Sequence, residues 1–209
     1  MCRFSPIFSV PLIGPLNSSV PVGECFLHRL YIGKRRRPTR QRAGVGWPFA
    51  LGRRPCGWTS PGNEDGARQE LLRSWGQGPL LVNYVGHGSV EIWRGLLSSD
   101  DADDLINGTQ LPFVVSMTCL NGFFHDPSEE SLAEALLGAK GGAIAVWASS
   151  GLTEANKQKA MNQELFRLLF HGPSLTLGEA AAKAKAAVSD MDIRKTWILF
   201  GDPTTRLRQ

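Results

Sequence analysis

The chain has 209 residues, with 23 Lys and Arg against 19 Asp and Glu for a formal net charge of +4. That total joins two unlike parts: residues 1–60 hold nine arginines and Lys34 against the single acid Glu24, a net of +9, while the remainder carries 13 basic and 18 acidic groups, a net of −5. No run approaches the ~18 apolar residues of a membrane-spanning helix. Cys2, Cys25 and Cys56 fall in the first part and Cys119 alone in the second, without metal-ligand spacing, so no zinc site, disulfide framework or cofactor is expected of the organised part.

The first segment, residues 1–61, scatters eight prolines among its arginines and shows no hydrophobic periodicity. It reads as disordered or extraneous to the fold. Residues 1–22 combine Arg3 with an apolar stretch, as an export signal does, but four prolines interrupt it and no Ala-x-Ala site follows. A basic arm attracts polyanions. The cluster from Lys34 to Arg42 has no aromatic stacking surface beside it, so weak, salt-sensitive contact and no specific nucleic-acid partner is the expectation.

From residue 62 the chain reads as alternating helix and strand. Residues 66–75 set Leu71, Leu72 and Trp75 on one helical face after a Gly- and Asn-containing loop. Residues 79–85 and 112–118 are near-continuous apolar strands, as expected of strands covered on both faces. Between them, Asp100, Asp101, Asp103 and Asp104 read as helix-start carboxylates leading into Leu105 and Ile106, with Ca²⁺ binding as the weaker alternative. Asp126, Pro127 and Glu129 read as a capped helix start, with Leu132, Ala133, Leu136 and Leu137 following and Gly138 closing it. A third strand covers 142–148, and a helix over 154–170 buries Met161, Leu165, Leu168 and Leu169. Thr176 to Glu179 is a capping box for an Ala-rich helix running to about Asp190, and a short strand spans 196–200. A βαβ series of this kind favours a parallel sheet with right-handed crossovers.

Two of these strands end on reactive side chains among small residues. The first delivers His87 in Asn83-Tyr84-Val85-Gly86-His87-Gly88-Ser89; the second delivers Cys119 in Ser116-Met117-Thr118-Cys119-Leu120-Asn121-Gly122. Taken singly, Cys119 reads as a small buried hydrophobe and His87 as a turn residue or metal ligand. Neighbouring parallel strands ending at one sheet edge would pair them where open α/β sheets place their sites. A thiol beside an imidazole supports nucleophilic catalysis, because the base draws off the thiol proton and the thiolate attacks. Gly86 and Gly88 allow close backbone approach, and a Gly88 N–H aimed at a scissile carbonyl would steady the developing oxyanion. His125 reads as an exposed loop residue.

The stretch from Leu80 to Phe124, with NYVGHGS and LPFVVSMTCLNGFFHD, resembles the catalytic core of the gingipain-type cysteine peptidases, on the caspase-like fold. The likeness continues through Ala143 to Ser150 and the closing residues 197–203, covering about residues 62–208. It implies an α/β domain over 62–209, a mostly parallel sheet flanked by helices and incomplete on its N-terminal side. The implied chemistry is peptide-bond hydrolysis through a Cys–His dyad and a thioester. By the resemblance His87 is the base, Cys119 the nucleophile, and the N–H groups of Gly88 and Cys119 the oxyanion hole. It also places Trp147 and Ser149 at the pocket for the residue before the scissile bond; a core or rim Trp remains the alternative for Trp147. The implied partner is a peptide or protein substrate, and the implied location secreted or cell-surface; oligomeric state carries no signal. Neither the carboxylate that orients the His in the family nor the acid that selects basic residues has a match upstream of His87. The chain therefore also admits a second reading, an inactive or truncated member whose open sheet edge serves as an interaction module.

Overall fold

The computed structural model describes residues 29–34 and 64–207. Its centre is the pair of apolar runs read above as strands: β2 (Pro79–Val85) and β5 (Phe113–Met117), with every residue of β5 and all but the last of β2 buried. They lie side by side and parallel, with β6 (Ala145–Ser149) parallel on the far side of β5. Two antiparallel edge strands complete the sheet, β1 (Arg29–Lys34) against β2 and β7 (Trp197–Gly201) against β6, giving the order β1-β2-β5-β6-β7. A two-stranded ribbon, β3 (Ile92–Trp93) with β4 (Leu97–Ser98), stands apart from it.

Strand alternation assigns the two faces. Val82, Tyr84, Val114, Val146 and Ala148 meet α1 (Glu64–Trp75) and α2 (Leu132–Gly138) through Leu71, Trp75, Leu132 and Leu136. Leu81, Phe113, Val115, Met117 and Trp147 meet α3 (Ala155–His171), α4 (Leu177–Ala186) and α5 (Met191–Thr196). Each fully buried Val, Leu or Phe stabilises by about 1.5–3 kcal/mol over exposure, so two apolar faces fix the register strongly. A slip of one residue would turn both faces inside out. The result is an α/β domain whose sheet is parallel at its centre and covered on both sides. No helix among the described residues is long and apolar enough to cross a membrane.

Several sequence expectations are corrected. The segment expected to contribute nothing supplies β1, whose backbone pairs with β2 from Arg29↔Val85 to Lys34↔Pro79; the other expectations for residues 1–61, with Cys2, Cys25 and Cys56, lie outside the described residues. β7 runs antiparallel rather than continuing the parallel series. Three helices, α3, α4 and α5, separate β6 from β7, and they return the chain to the end at which β6 exits: β7 begins at Trp197 opposite Ser149 and must run back. The helix from Thr176 ends at Ala186, and Asp190 caps a separate α5 by accepting from the Asp192 and Ile193 N–H groups.

Asp126 does not start α2. Its carboxylate accepts from Ser128 and Glu129 N–H in a local turn, and the helix begins at Leu132 with Ser131 as N-cap and a full capping box to Glu134. A short polar side chain followed by Pro suits a turn as well as a cap, and the apolar face of the helix starts only at Leu132. The acidic cluster at 100–104 is likewise a series of turns rather than a helix start. Asp101 accepts from the Ser98 N–H at 2.7 Å and meets the Arg68 guanidinium of α1 in a two-pronged pair at 2.6 and 2.5 Å. The pair ties the β3–β4 ribbon to α1, and the Arg68 hydrogen bond holds the Asp101 carboxyl down at about 2, against the opposing effect of burial.

A carboxyl whose folded-state value is lowered stabilises above its unfolded value, near 3.9, and loses that contribution as pH falls through the folded one. With Arg68 38% exposed, solvent screening leaves about 1 kcal/mol. Asp101→Asn is therefore expected to lower unfolding stability by that amount at pH 7. Urea titrations at several pH values should show the difference from the parent protein shrinking between pH 4 and pH 2; a difference independent of pH would contradict the ion-pair account.

Candidate active site

The parallel register of β2 and β5 pairs Val85 with Met117, so two more residues along each strand lead to His87 and Cys119 at one sheet edge. The bond from Gly86 N–H to the Met117 carbonyl, at 3.4 Å, carries the pairing one residue past β2. Closer contact follows at Gly88, which forms an isolated bridge with Trp93. A Cβ at Gly88 would lie 2.6 Å from the Ile92 carbonyl oxygen and 2.8 Å from Thr118 Oγ1. Only glycine lets the His loop press against the residue preceding Cys119.

His87 is exposed at this edge. Its backbone is pinned through its carbonyl, which accepts from Tyr84 Oη at 2.6 Å and from Arg94 N–H at 3.0 Å. Tyr84 is fully buried and stacks on Trp93 with centroids 4.6 Å apart. The ribbon bonds Arg94 N–H to His87 O and Ser89 N–H to Ile92 O make Gly88–Trp93 a non-hydrogen-bonded pair. The Gly88 N–H therefore faces away from the ribbon, and it has no acceptor among the described residues.

Cys119 sits in a sharp turn, half-buried and with its thiol free. Leu120, directly after it, takes φ +60°, a left-handed conformation that costs a side-chain-bearing residue about 1–3 kcal/mol. Surrounding bonds hold it there: Leu120 N–H donates to Gly151 O at 3.2 Å and Gly122 N–H to Ser149 O at 2.9 Å. The Cys119 N–H, like that of Gly88, has no acceptor among the described residues. Cys119 Sγ accepts from Thr153 N–H at 3.4 Å and lies 3.5 Å from the Thr153 carbonyl oxygen. Thr153 Oγ1 donates to Gln158 Oε1 at 3.2 Å. The loop after β6 thus closes one side of the sulfur, and Leu152 at its tip is 78% exposed.

Trp147 and Ser149 lie on β6 beneath this loop. Trp147 is 1% exposed, in the layer under α3 and α4 with its ring 5.6 Å from that of Trp197. Ser149 is fully buried, its hydroxyl shared between Gly151 O and Gly151 N–H. His125 is exposed in the next turn, packed 3.9 Å from Phe123. In the His loop, Glu91 is held above the usual carboxylate range by a hydrogen bond with Glu129 and by that group's charge.

Sequence reading missed what joins the two loops. The first free N–H groups of α2 reach one carbonyl on each side: Leu132 N–H bonds Val90 O at 2.9 Å, and Ala133 N–H bonds Asn121 O at 3.0 Å. Asn121 Nδ2 donates to the Ser89 carbonyl and, at 3.2 Å, to Ile92 O, while its Oδ1 accepts from Ser116 Oγ at 2.7 Å. Ser116 Oγ in turn accepts from Trp93 Nε1 at 2.7 Å.

Comparison with known proteins gives this fold a family. The family model described as peptidase family C25 matches residues 51–208. Gingipain R2 and gingipain R1 of Porphyromonas gingivalis are each 30% identical over 157 residues, which is 67% of this chain but 21% and 16% of theirs. The solved complex of Porphyromonas gingivalis RgpB pro- and mature domains superposes with TM-score 0.62 at 26% identity, over 68% of this chain and 37% of that one. The crystal structure of the Arg specific cysteine proteinase gingipain R gives TM-score 0.59 at 29% identity, over 68% of this chain and 36% of that one. The chain thus spans about a fifth of the curated gingipain R2 and just over a third of the solved chains. The matched span takes in both strands of the edge, the His loop, the Cys turn and α2, and the chain belongs to peptidase family C25.

Proposed function

We propose that this edge hydrolyses peptide bonds, with Cys119 as nucleophile and His87 as base. The observation that carries the reading is the fit of Gly88 against Thr118: it sets the residue after the imidazole beside the residue before the thiol, on strands already in register. The imidazole takes the thiol proton, and the sulfur attacks the carbonyl carbon. The oxyanion that forms is held by the N–H groups of Gly88 and Cys119, which have no competing acceptor among the described residues. His87 gives its proton to the leaving amine nitrogen as the C–N bond breaks and a thioester remains. Water then attacks the thioester, its proton passing through the imidazole to the sulfur. The Thr153 N–H, 3.4 Å from Sγ, steadies negative charge on sulfur before attack. Loop 150–153 walls the pocket for the residue before the bond; Ser149 holds that loop from beneath through Gly151, and Trp147 lies buried in the core below it.

Incubation of the full chain with a peptidyl acyloxymethyl ketone, followed by peptide mass mapping, is expected to place one adduct on Cys119. Absence of that adduct, or labelling of Cys2, Cys25 or Cys56 in its place, would favour the interaction-module reading.

Gly88→Ala brings a Cβ within 2.6 Å of a backbone carbonyl and must turn the peptide that carries the oxyanion donor. Removal of one such donor typically lowers kcat by about 10²–10³. A fall of about that size in peptide-amide turnover, with the chain still folded, is expected; unchanged turnover would remove Gly88 from the oxyanion site.

A further inference from the structure

We infer that Asn121 is a positioning residue for the oxyanion donors, acting through the His loop rather than on substrate. The inference rests on the peptidase reading above. Asn121 lies two residues after Cys119 and is 1% exposed, yet its amide makes three hydrogen bonds. Both of its donor bonds cross to the other loop, to Ser89 O directly after Gly88 and to Ile92 O, the carbonyl against which Gly88 packs. The Ile92 carbonyl also accepts from Ser89 N–H at 3.1 Å, so one side chain fixes both ends of the short turn that orients the Gly88 peptide. Its acceptor is fixed in turn, because Ser116 and Trp93 are both 1% exposed and their bonds set which end of the amide faces the carbonyls.

The backbone of the same residue accepts from the Ala133 N–H of α2, while the neighbouring Leu132 N–H takes Val90 O. Asn121 is therefore bonded to the His loop by its side chain and to the helix that clamps that loop by its carbonyl. The distance between the two oxyanion N–H groups, one in each loop, is set by these bonds. Buried polar groups with satisfied partners specify one arrangement; loss of the donor leaves the Ser89 carbonyl without its bond and Ile92 O with the Ser89 N–H alone.

Asn121→Asp is the sharper test, because it keeps shape and the Ser116 acceptor while turning the amide donor into an oxygen facing two carbonyls. The readouts, on the full chain, are kcat and KM on positional-scanning fluorogenic peptide amides, and the rate of Cys119 alkylation by iodoacetamide. Alkylation forms no oxyanion, so it reports the thiol alone. For a donor displaced rather than deleted, kcat is expected to fall about 10- to 100-fold, with KM and the alkylation rate within about threefold of the parent. The kcat deficit should narrow as pH falls and the new carboxyl regains a proton to donate. Asn121→Ala should show the same split without the pH-dependent recovery.

Equal kcat in parent and Asn121→Asp would overturn the inference and leave the peptidase reading intact, as would parallel losses of turnover and alkylation, which mark general disruption. Absence of turnover in the parent chain would overturn the reading and the inference together.

Discussion

The site depends on one backbone constraint, the parallel pairing of β2 with β5 in the register Val85↔Met117. Each strand is buried on both faces, so a one-residue slip would move an entire row of Leu, Val and Phe into the wrong layer. Hydrophobic burial thus sets the level at which the two strands stop, and the reactive residues follow at equal distances beyond. The geometry of this edge begins as core packing. Nothing in the side chains of His87 or Cys119 is needed to bring their loops to one edge.

Register alone leaves loops free to turn, and polar bonds remove that freedom. The N-terminus of α2 offers N–H groups that its own helix cannot satisfy, and two of them reach Val90 and Asn121. The Ser131–Glu134 capping box satisfies others and fixes where the helix starts. Starting at Leu132 rather than after Asp126 is what places those donors between the two loops. The strained φ of Leu120 belongs to the same scheme, since bonds from Leu120 and Gly122 to the end of β6 hold the turn that presents Cys119. Three strands and one helix therefore meet around a single thiol.

Where the sequence is periodic or uniformly apolar, it announces its structure. Residues 79–85 form a strand as read, the stripe of Met161, Leu165, Leu168 and Leu169 is buried, and the Thr176–Glu179 box is present. Local polar chemistry was ambiguous in the same way each time. Asp126 and the aspartates at 100–104 suit a helix cap and a turn equally, and which one forms depends on apolar partners elsewhere. The end of the Ala-rich helix at Ala186 is hidden because Ala187 and Val188 continue the apolar pattern past it. The motifs made His87, Gly88 and Cys119 visible as candidates. Asn121 was not, because its partners Ser89 and Ile92 lie 32 and 29 residues away. On sequence alone Trp147 admits a pocket and a core role; the structure places its ring in the core beside Trp197.

The central claim is that one sheet edge joins the imidazole and the thiol into a single chemical unit. Its most direct measurement is the rate at which iodoacetamide alkylates Cys119 at neutral pH, followed by the mass of the peptide that contains it, in the parent chain and in His87→Ala. Since the thiolate is the reacting species and the imidazole its source, the account predicts a rate at least about tenfold lower in His87→Ala, with unfolding stability little changed because His87 is exposed. Equal alkylation rates in the two folded proteins would show that the two side chains do not act together.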